Sequence, residues 1–471
     1  MTTLRILPRY DFNWGESYRN ARDHLVQPWP TVGDVGEEVR PFVEASGGIH
    51  VFDEMGRPLI DGPAGMWCTQ VGHRRTEIAE AIARQAMELS FVSPWSSSNV
   101  PAADLAGRIA AATPGDLDRI FFTTGGTTAA ETALRFVQFY NNALGRPLKK
   151  RIISREHAYH GSGYLSGSCC GKPRDRGFMD EATDIVRRVS APYPYRRPEG
   201  MSVPEFEDFL VGELEGVILE EGPDRVAAFI AEPIQASGGV IVPPPGYHRR
   251  IRALCQRYDV LYIADEVVTG FGRLGHLFAS EEVFGITPDI ITFAKGVTSG
   301  YVPLGGVAIS NRLFDRMKAR PGARRAMFAN GYTYSSHPVA CAAALANLDI
   351  FEREGLLAHV RALAPYFQSA LKTLEDLPLV GEVRGKGLMA CVECVADREH
   401  KNPLALDIEV GRRIDAHCHE LGLIVRPLIN MCVMSPPLII RRQQVDEMVA
   451  ILRRGIELTM DDLVRERLWR G

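Results

Sequence analysis

The sequence predicts an α/β protein with a large domain built on a mostly parallel sheet, over residues 76–330. A smaller α+β domain is expected from both chain ends. Two observations carry this expectation. Between 119 and 310, short apolar runs of strand length alternate with helix-patterned segments. Buried strands separated by helices build parallel sheets. Outside that stretch the pattern changes to short strands and turns at one end and long helices at the other.

Taken in order, residues 39–72 read as short strands and turns, with IHVFDEMGRPLIDG alternating about a Met-Gly turn. Helical patterns follow at 76–90 and 101–112. RIFFTT is an apolar run, GGTT a turn, and AAETALRFVQFYNNAL has helical periodicity. Further strand-like runs lie at 151–156, 226–233, 260–267, 289–295 and 305–310, with a helix expected over 247–259. Helices are expected at 338–354, 356–375 and 406–421, with strand-like VRGKGLMACVEC before the last of them. SPPLII and a helix from 442 close the chain. The small domain is therefore expected from residues 1–75 and 331–471 together, and the large one from 76–330.

Composition narrows the classes of function. The chain has 471 residues, 45% apolar and 24% charged, which suits a globular protein able to bury a large core. A formal net charge of −4 gives no reason to expect a nucleic-acid or anionic-membrane partner. The clusters Lys149–Lys150–Arg151 and Arg187–Arg188 are expected to be solvated surface. The N-terminal stretch lacks the apolar core of a secretory signal, and no run approaches the ~20 apolar residues of a membrane span. The nine cysteines show neither disulfide-framework nor zinc spacing. Cys169 and Cys170 are adjacent, Cys391 and Cys394 alternate as in a strand, and His417, Cys418 and His419 would point apart on a helix. No metal is expected, and the expected compartment is a reducing, cytoplasmic one.

Three features point to chemistry. In Phe121–Phe122–Thr123–Thr124–Gly125–Gly126–Thr127–Thr128 a strand ends in a glycine turn and a helix begins among hydroxyls. Free N–H groups and the helix dipole at such a terminus favour a phosphate. An ordinary Thr cap reads equally well there. Asp265 ends the apolar run LYIAD, at the carboxyl edge where ligands bind open α/β sheets. It is either a cap or ion-pair partner, or a carboxylate that keeps a pyridine cofactor protonated and electron-withdrawing. Lys295 ends DIITFAK, just before glycines. Amines are rarely placed there without a role, and desolvation favours the nucleophilic neutral amine that Schiff-base chemistry needs.

On these residues the chain resembles the class III aminotransferases, pyridoxal 5′-phosphate (PLP) enzymes of fold type I. The motifs are REHAYHG (155–161), AEPIQASGG (231–239), ADEVVTGFGR (264–273), ITFAKGVTSGYVPLGG (291–306) and GYTYSSHPVA (331–340). The resemblance extends from about 24 to 455 and implies a role for each matching residue. Lys295 would be the Schiff-base lysine and proton carrier, and Asp265 the partner of the ring nitrogen. Val267 and Tyr159 would flank the ring, Gly126 and Thr127 would bind the phosphate, and Glu232 and Gln235 would lie beside the phenolic oxygen. Thr333 would reach the phosphate in a neighbouring subunit, which implies a homodimer or larger assembly. Thr128, Ala236, Asn330 and Ser336 depart from commoner family residues, and bear on phosphate contacts and pocket shape rather than on the reaction class.

In position, GMWCTQVGHRR (65–75) and HLVQPWP (24–30) resemble the amine:pyruvate, or omega-transaminase, branch. This resemblance implies a pocket walled by Trp29, Trp67, Phe91 and Trp95 together with Tyr159, although a Trp is also a common core residue. Arg426 aligns with an arginine that recognises a substrate carboxylate, a contact suited to its fork, where the plainer reading is a surface Arg after a strand. The reaction implied is transfer of an amino group from an apolar, aromatic or long-chain primary amine to pyruvate or another 2-oxo acid. An aminomutase or a decarboxylating transaminase would use the same residues. A PLP-binding module without turnover is disfavoured by the complete catalytic set.

Overall fold

A computed structural model describes residues 13–470. The first twelve residues of the stretch read above for a secretory signal, which also open the small-domain segment expected over 1–75, lie outside the described residues.

The strands Arg119–Thr123, Arg151–Arg155, Val186–Val189, Val226–Ala231, Leu261–Asp265, Ile290–Phe293 and Gly305–Ile309 form one seven-stranded sheet. Its spatial order runs 119–123, 305–309, 290–293, 261–265, 226–231, 151–155, 186–189. Only Gly305–Ile309 runs against its neighbours, and every other pairing is parallel. Burial follows from composition. All residues of Val226–Ala231, Leu261–Asp265 and Ile290–Phe293 are buried, as strands covered by helices on both faces must be. One cover is the helix Gly126–Ala143, whose Ala129, Ala133, Leu134, Phe136, Val137 and Tyr140 face the core. The helix Val203–Glu221 starts at a Ser202/Glu205 capping box, and Tyr247–Arg257 joins two adjacent parallel strands.

The edge strand Val186–Val189 is not evident from sequence because its centre is Arg187–Arg188. The expectation that the basic clusters are solvated surface is corrected here. Lys149 is buried and donates to Pro223 O (2.6 Å), while Lys150 donates to Gln138 O and Asn142 Oδ1. Arg188 donates to Cys170 O (2.9 Å) and Ser168 O (2.5 Å), and Arg151 and Arg187 share Glu221. At this edge, loop carbonyls would otherwise be buried without donors, and long cationic side chains reach them.

The two ends of the chain meet in a second layer. Strands Val43–Gly47, His50–Asp53 and Pro58–Asp61 form an antiparallel set that Leu423–Ile424 joins in parallel. A third sheet pairs Val380–Lys386, Met389–Cys394, Met431–Met434 and Arg426–Leu428. Cys391 and Cys394 lie within its strand Met389–Cys394, fully buried. The helices Leu356–Lys372, Val410–Glu420 and Arg442–Arg465 cover this layer, and Pro338–Arg353 packs on Thr76–Glu88 and Val100–Ala112.

Candidate active site

The parallel strands end at Arg155, Ala231 and Asp265, and the segments that follow them converge at the carboxyl edge of the sheet. Asp265 is buried there and well held. Its Oδ1 accepts from Val267 N (3.2 Å) and Thr292 Oγ1 (3.1 Å), and its Oδ2 lies 2.7 Å from His160 Nδ1. A carboxylate has about four acceptor positions, so three are filled and one remains for a further N–H. His160 Nε2 has no partner. Sequence reasoning assigns no role to His160 or Thr292, although both stand inside the motifs quoted for the resemblance.

Lys295 follows the strand Ile290–Phe293 and takes φ +48°, a left-handed conformation that costs a non-glycine residue about 1–2 kcal/mol. The surrounding structure imposes it. Buried Asn347 donates to Gly296 O (2.9 Å) and Val297 O (3.0 Å), and Ser299 Oγ accepts from Val71 N (3.0 Å). Sequence reasoning misses Asn347 too, and its signal is a polar residue on the apolar face of AALANLDIF. The Lys295 amine makes no hydrogen bond or ion pair among the described residues. Burial pushes its pKa down, opposed by the nearby charge of Asp265.

The helix Gly126–Ala143 begins without a side-chain cap, because its N-cap is Gly125. The first amide bonded back into the turn is Ala129 N, to Gly125 O (2.9 Å). Its three preceding amides are thus available to an anion, with the helix dipole behind them. Gly126 allows a close approach: a Cβ there would stand 3.0 Å from Val267 Cγ1, so this terminus and Val267 share one wall. Thr127 Oγ1 accepts from Ser162 N (3.2 Å), tying the terminus to the loop that carries Tyr159. Tyr159 is half-buried, its hydroxyl is 3.1 Å from Ser162 Oγ, and the Lys172 ammonium lies 4.9 Å from its ring centroid.

Glu232 accepts from Tyr159 N and Ala236 N, both at 3.0 Å, and burial raises its pKa. Gln235 donates to Glu156 O (2.8 Å), and its buried Oε1 has no partner.

The second wall is aromatic. Trp67 is buried, at φ +59°, and the Arg426 guanidinium stacks 4.3 Å from its ring centroid. Arg426 has no acidic partner among the described residues, and burial lowers its pKa. Trp67 Nε1, Ser237 Oγ and Arg426 Nε are all buried donors without acceptors among the described residues. Other expected pocket residues are not gathered in this chain. Trp29 and Phe91 are exposed, Trp95 is 88% exposed, and Phe91 packs edge-on against Tyr334 instead. Thr333 is exposed in the loop that Tyr332 anchors to Thr128 O (3.1 Å).

These residues fit PLP. The uncapped helix terminus suits its phosphate, the open acceptor position of Asp265 its protonated ring nitrogen, and the unpaired Lys295 amine its aldehyde. A family model described as aminotransferase class-III matches residues 33–456. The chain is 43% identical over 429 residues to a diaminobutyrate–2-oxoglutarate transaminase of Halomonas elongata, covering 89% of this chain and 90% of that one. Among solved structures it resembles an (S)-enantioselective omega-transaminase from Thermomicrobium roseum, with 40% identity and a TM-score of 0.90 over 96% of this chain and 99% of that one. It also resembles the omega transaminase of Pseudomonas jessenii in complex with PMP, with 37% identity and a TM-score of 0.90 over 94% of this chain and 98% of that one.

Proposed function

The chain belongs to the class III aminotransferases, which use PLP, and from that premise we propose that it moves an amino group from an apolar, aromatic or long-chain primary amine to pyruvate or another 2-oxo acid. The observation that carries this reading is Arg426 lying on Trp67 without an acidic partner among the described residues. In the ornithine and 4-aminobutyrate branches an acidic residue stands two positions after the Gln of EPIQ and pairs with this arginine. Here that position is Ser237, which is buried and uncharged. The guanidinium is then available to an acceptor's carboxylate, while Trp67 offers an apolar face to a neutral amine. A long side chain withdraws at lower cost than an unpaired charge is buried.

PLP supplies an aldehyde that links to amines and a ring that takes up electrons. The protein supplies the rest. Asp265, held by His160 and Thr292, would keep a proton on the ring nitrogen. Lys295, whose pKa burial lowers, would carry the proton at the substrate's α-carbon. The amides at Gly126 and Thr127 would hold the phosphate, Val267 and Tyr159 would flank the ring, and Glu232 and Gln235 would lie beside the phenolic oxygen.

The proposal includes a homodimer working in the cytoplasm. Exposed Phe91, Trp95, Val100, Met327 and Tyr334 support a covering second copy, and Thr333 at the surface supports a contact to the partner's cofactor phosphate. A diamine or ω-amino acid donor is the second reading, favoured by the likeness to the diaminobutyrate transaminase.

A panel of donors in the half-reaction decides between them. Mixed with holoenzyme alone, 1-phenylethylamine should shift the visible absorbance and pyruvate should restore it. Turnover confined to 2,4-diaminobutyrate or 4-aminobutyrate would overturn the apolar-amine reading. A substrate rearranged without any acceptor would indicate a mutase.

A further inference from the structure

Arg384 stands where the small domain touches the turn that carries Glu232 and Gln235. Its Nε donates to Gly239 O (2.7 Å), and its Nη1 donates to Glu382 Oε2 (2.9 Å) and Glu393 Oε2 (2.5 Å). Its Nη2 lies 3.2 Å from Met431 Sδ, and its guanidinium stacks 4.6 Å from the Tyr193 ring centroid. Arg196 and the Tyr193 hydroxyl also bond to Glu393. The cluster holds two guanidinium groups and two carboxylates, so its charges balance. Charge balance needs no bond to Gly239, yet the fork makes one.

Gly239 closes a compact turn. Gly239 N and Val240 N both donate to Ala236 O (3.1 and 3.0 Å), and Ala236 N in turn holds Glu232 Oε2. Gly239 takes φ +106°, and a Cβ there would come 2.5 Å from Met431 Sδ and 2.8 Å from Arg384 Nη2. Only glycine brings its carbonyl this close to the fork. Met431 opposes Leu428 in the hairpin that also carries Arg426.

We propose that Arg384 is a positioning residue that sets the spacing between the two walls of the active site. Through Gly239 and Ala236 it fixes the carboxylate of Glu232. Through Met431 it fixes the hairpin of Arg426. A lysine could balance the carboxylates but has no planar fork to hold three segments at once. The inference rests on the cofactor assignment and not on the choice of amine.

Two variants separate positioning from plain stability. Arg384→Met leaves buried Glu393 and half-buried Glu382 to one arginine and should lower the Tm of the apoenzyme. Arg384→Met with Glu382→Gln restores balance and should return the Tm close to that of the wild type. In that double variant the PLP Kd, measured by fluorescence titration of the apoenzyme, should stay raised about tenfold, the scale of one lost buried hydrogen bond. The KM for pyruvate should stay raised by a similar factor. A wild-type PLP Kd and pyruvate KM in the balanced variant would overturn the proposal and leave Arg384 a structural ion-pair partner. Should the double variant fail to fold, Arg384→Lys carries the same readouts, and wild-type values in it overturn the proposal equally.

Discussion

The two walls of the active site are built on opposite terms. On the Asp265 side, the carboxylates of Asp265 and Glu232 each have two or more partners within 3.2 Å. On the Arg426 side, three buried donors have none. Carboxylates bonded in this way are held in place before any ligand arrives, although His160 Nε2 and Gln235 Oε1 beside them lack partners among the described residues. A wall with unpaired donors can accept a carboxylate or turn away from an apolar group. Under the proposed function, fixed chemistry and variable substrate would fall to different segments, with the Arg426 charge near enough to act on Lys295.

The largest expected effect tests the fixed wall. Lys295→Ala should abolish steady-state transamination while the phosphate terminus still retains some PLP without a covalent link. Full activity in the purified variant would refute the role of Lys295. The same lysine should show its environment directly. Apoenzyme should capture PLP covalently with a pH midpoint below the ordinary lysine value of about 10.4, because burial depresses the Lys295 pKa and the neutral amine is the nucleophile. Capture should therefore rise as pH rises through that midpoint, and a midpoint at or above 10.4 would contradict it.

Asp265→Asn should slow deprotonation at the substrate α-carbon on the order of a hundredfold or more, with substrate binding less affected. Single-turnover absorbance changes measure it, and an unchanged rate would mean that Asp265 is not the partner of the ring nitrogen.

The adaptable wall should respond selectively. Arg426→Ala should weaken pyruvate use about ten- to a hundredfold, the scale of a charge-assisted hydrogen bond of about 1.5–3 kcal/mol. The half-reaction with 1-phenylethylamine should hardly change. Equal losses in both halves would make Arg426 structural, and the contrast between the walls would go with it.

The smallest effect lies at the proposed seam between subunits. Thr333→Ala should weaken PLP binding by about 0.5–1.5 kcal/mol, or up to about 3 kcal/mol for a charge-assisted bond. In mixed dimers the loss should fall on the partner's site, and a loss confined to the variant's own site would refute the contact in trans.

Sequence by itself determined most strands of the main sheet and pointed to the residues at their ends. Apolar runs at 226–233, 260–267 and 289–295 contain the strands Val226–Ala231, Leu261–Asp265 and Ile290–Phe293 because continuous burial tolerates little else, and Asp265 and Lys295 are legible because a charge ending such a run needs a reason. Sequence could not supply what depends on long-range pairing. The strand Val186–Val189 is hidden because its arginines are satisfied by loop carbonyls and acids from other segments. His160 and Asn347 look ordinary because their roles are to hold Asp265 and the Lys295 turn from 105 and 51 or fewer residues away. Only the tertiary structure decided that Trp67 stacks with Arg426 while Trp29, Phe91 and Trp95 stay at the surface of the single chain. An aromatic residue's fate is set by which surfaces reach it, and local pattern carries no record of that.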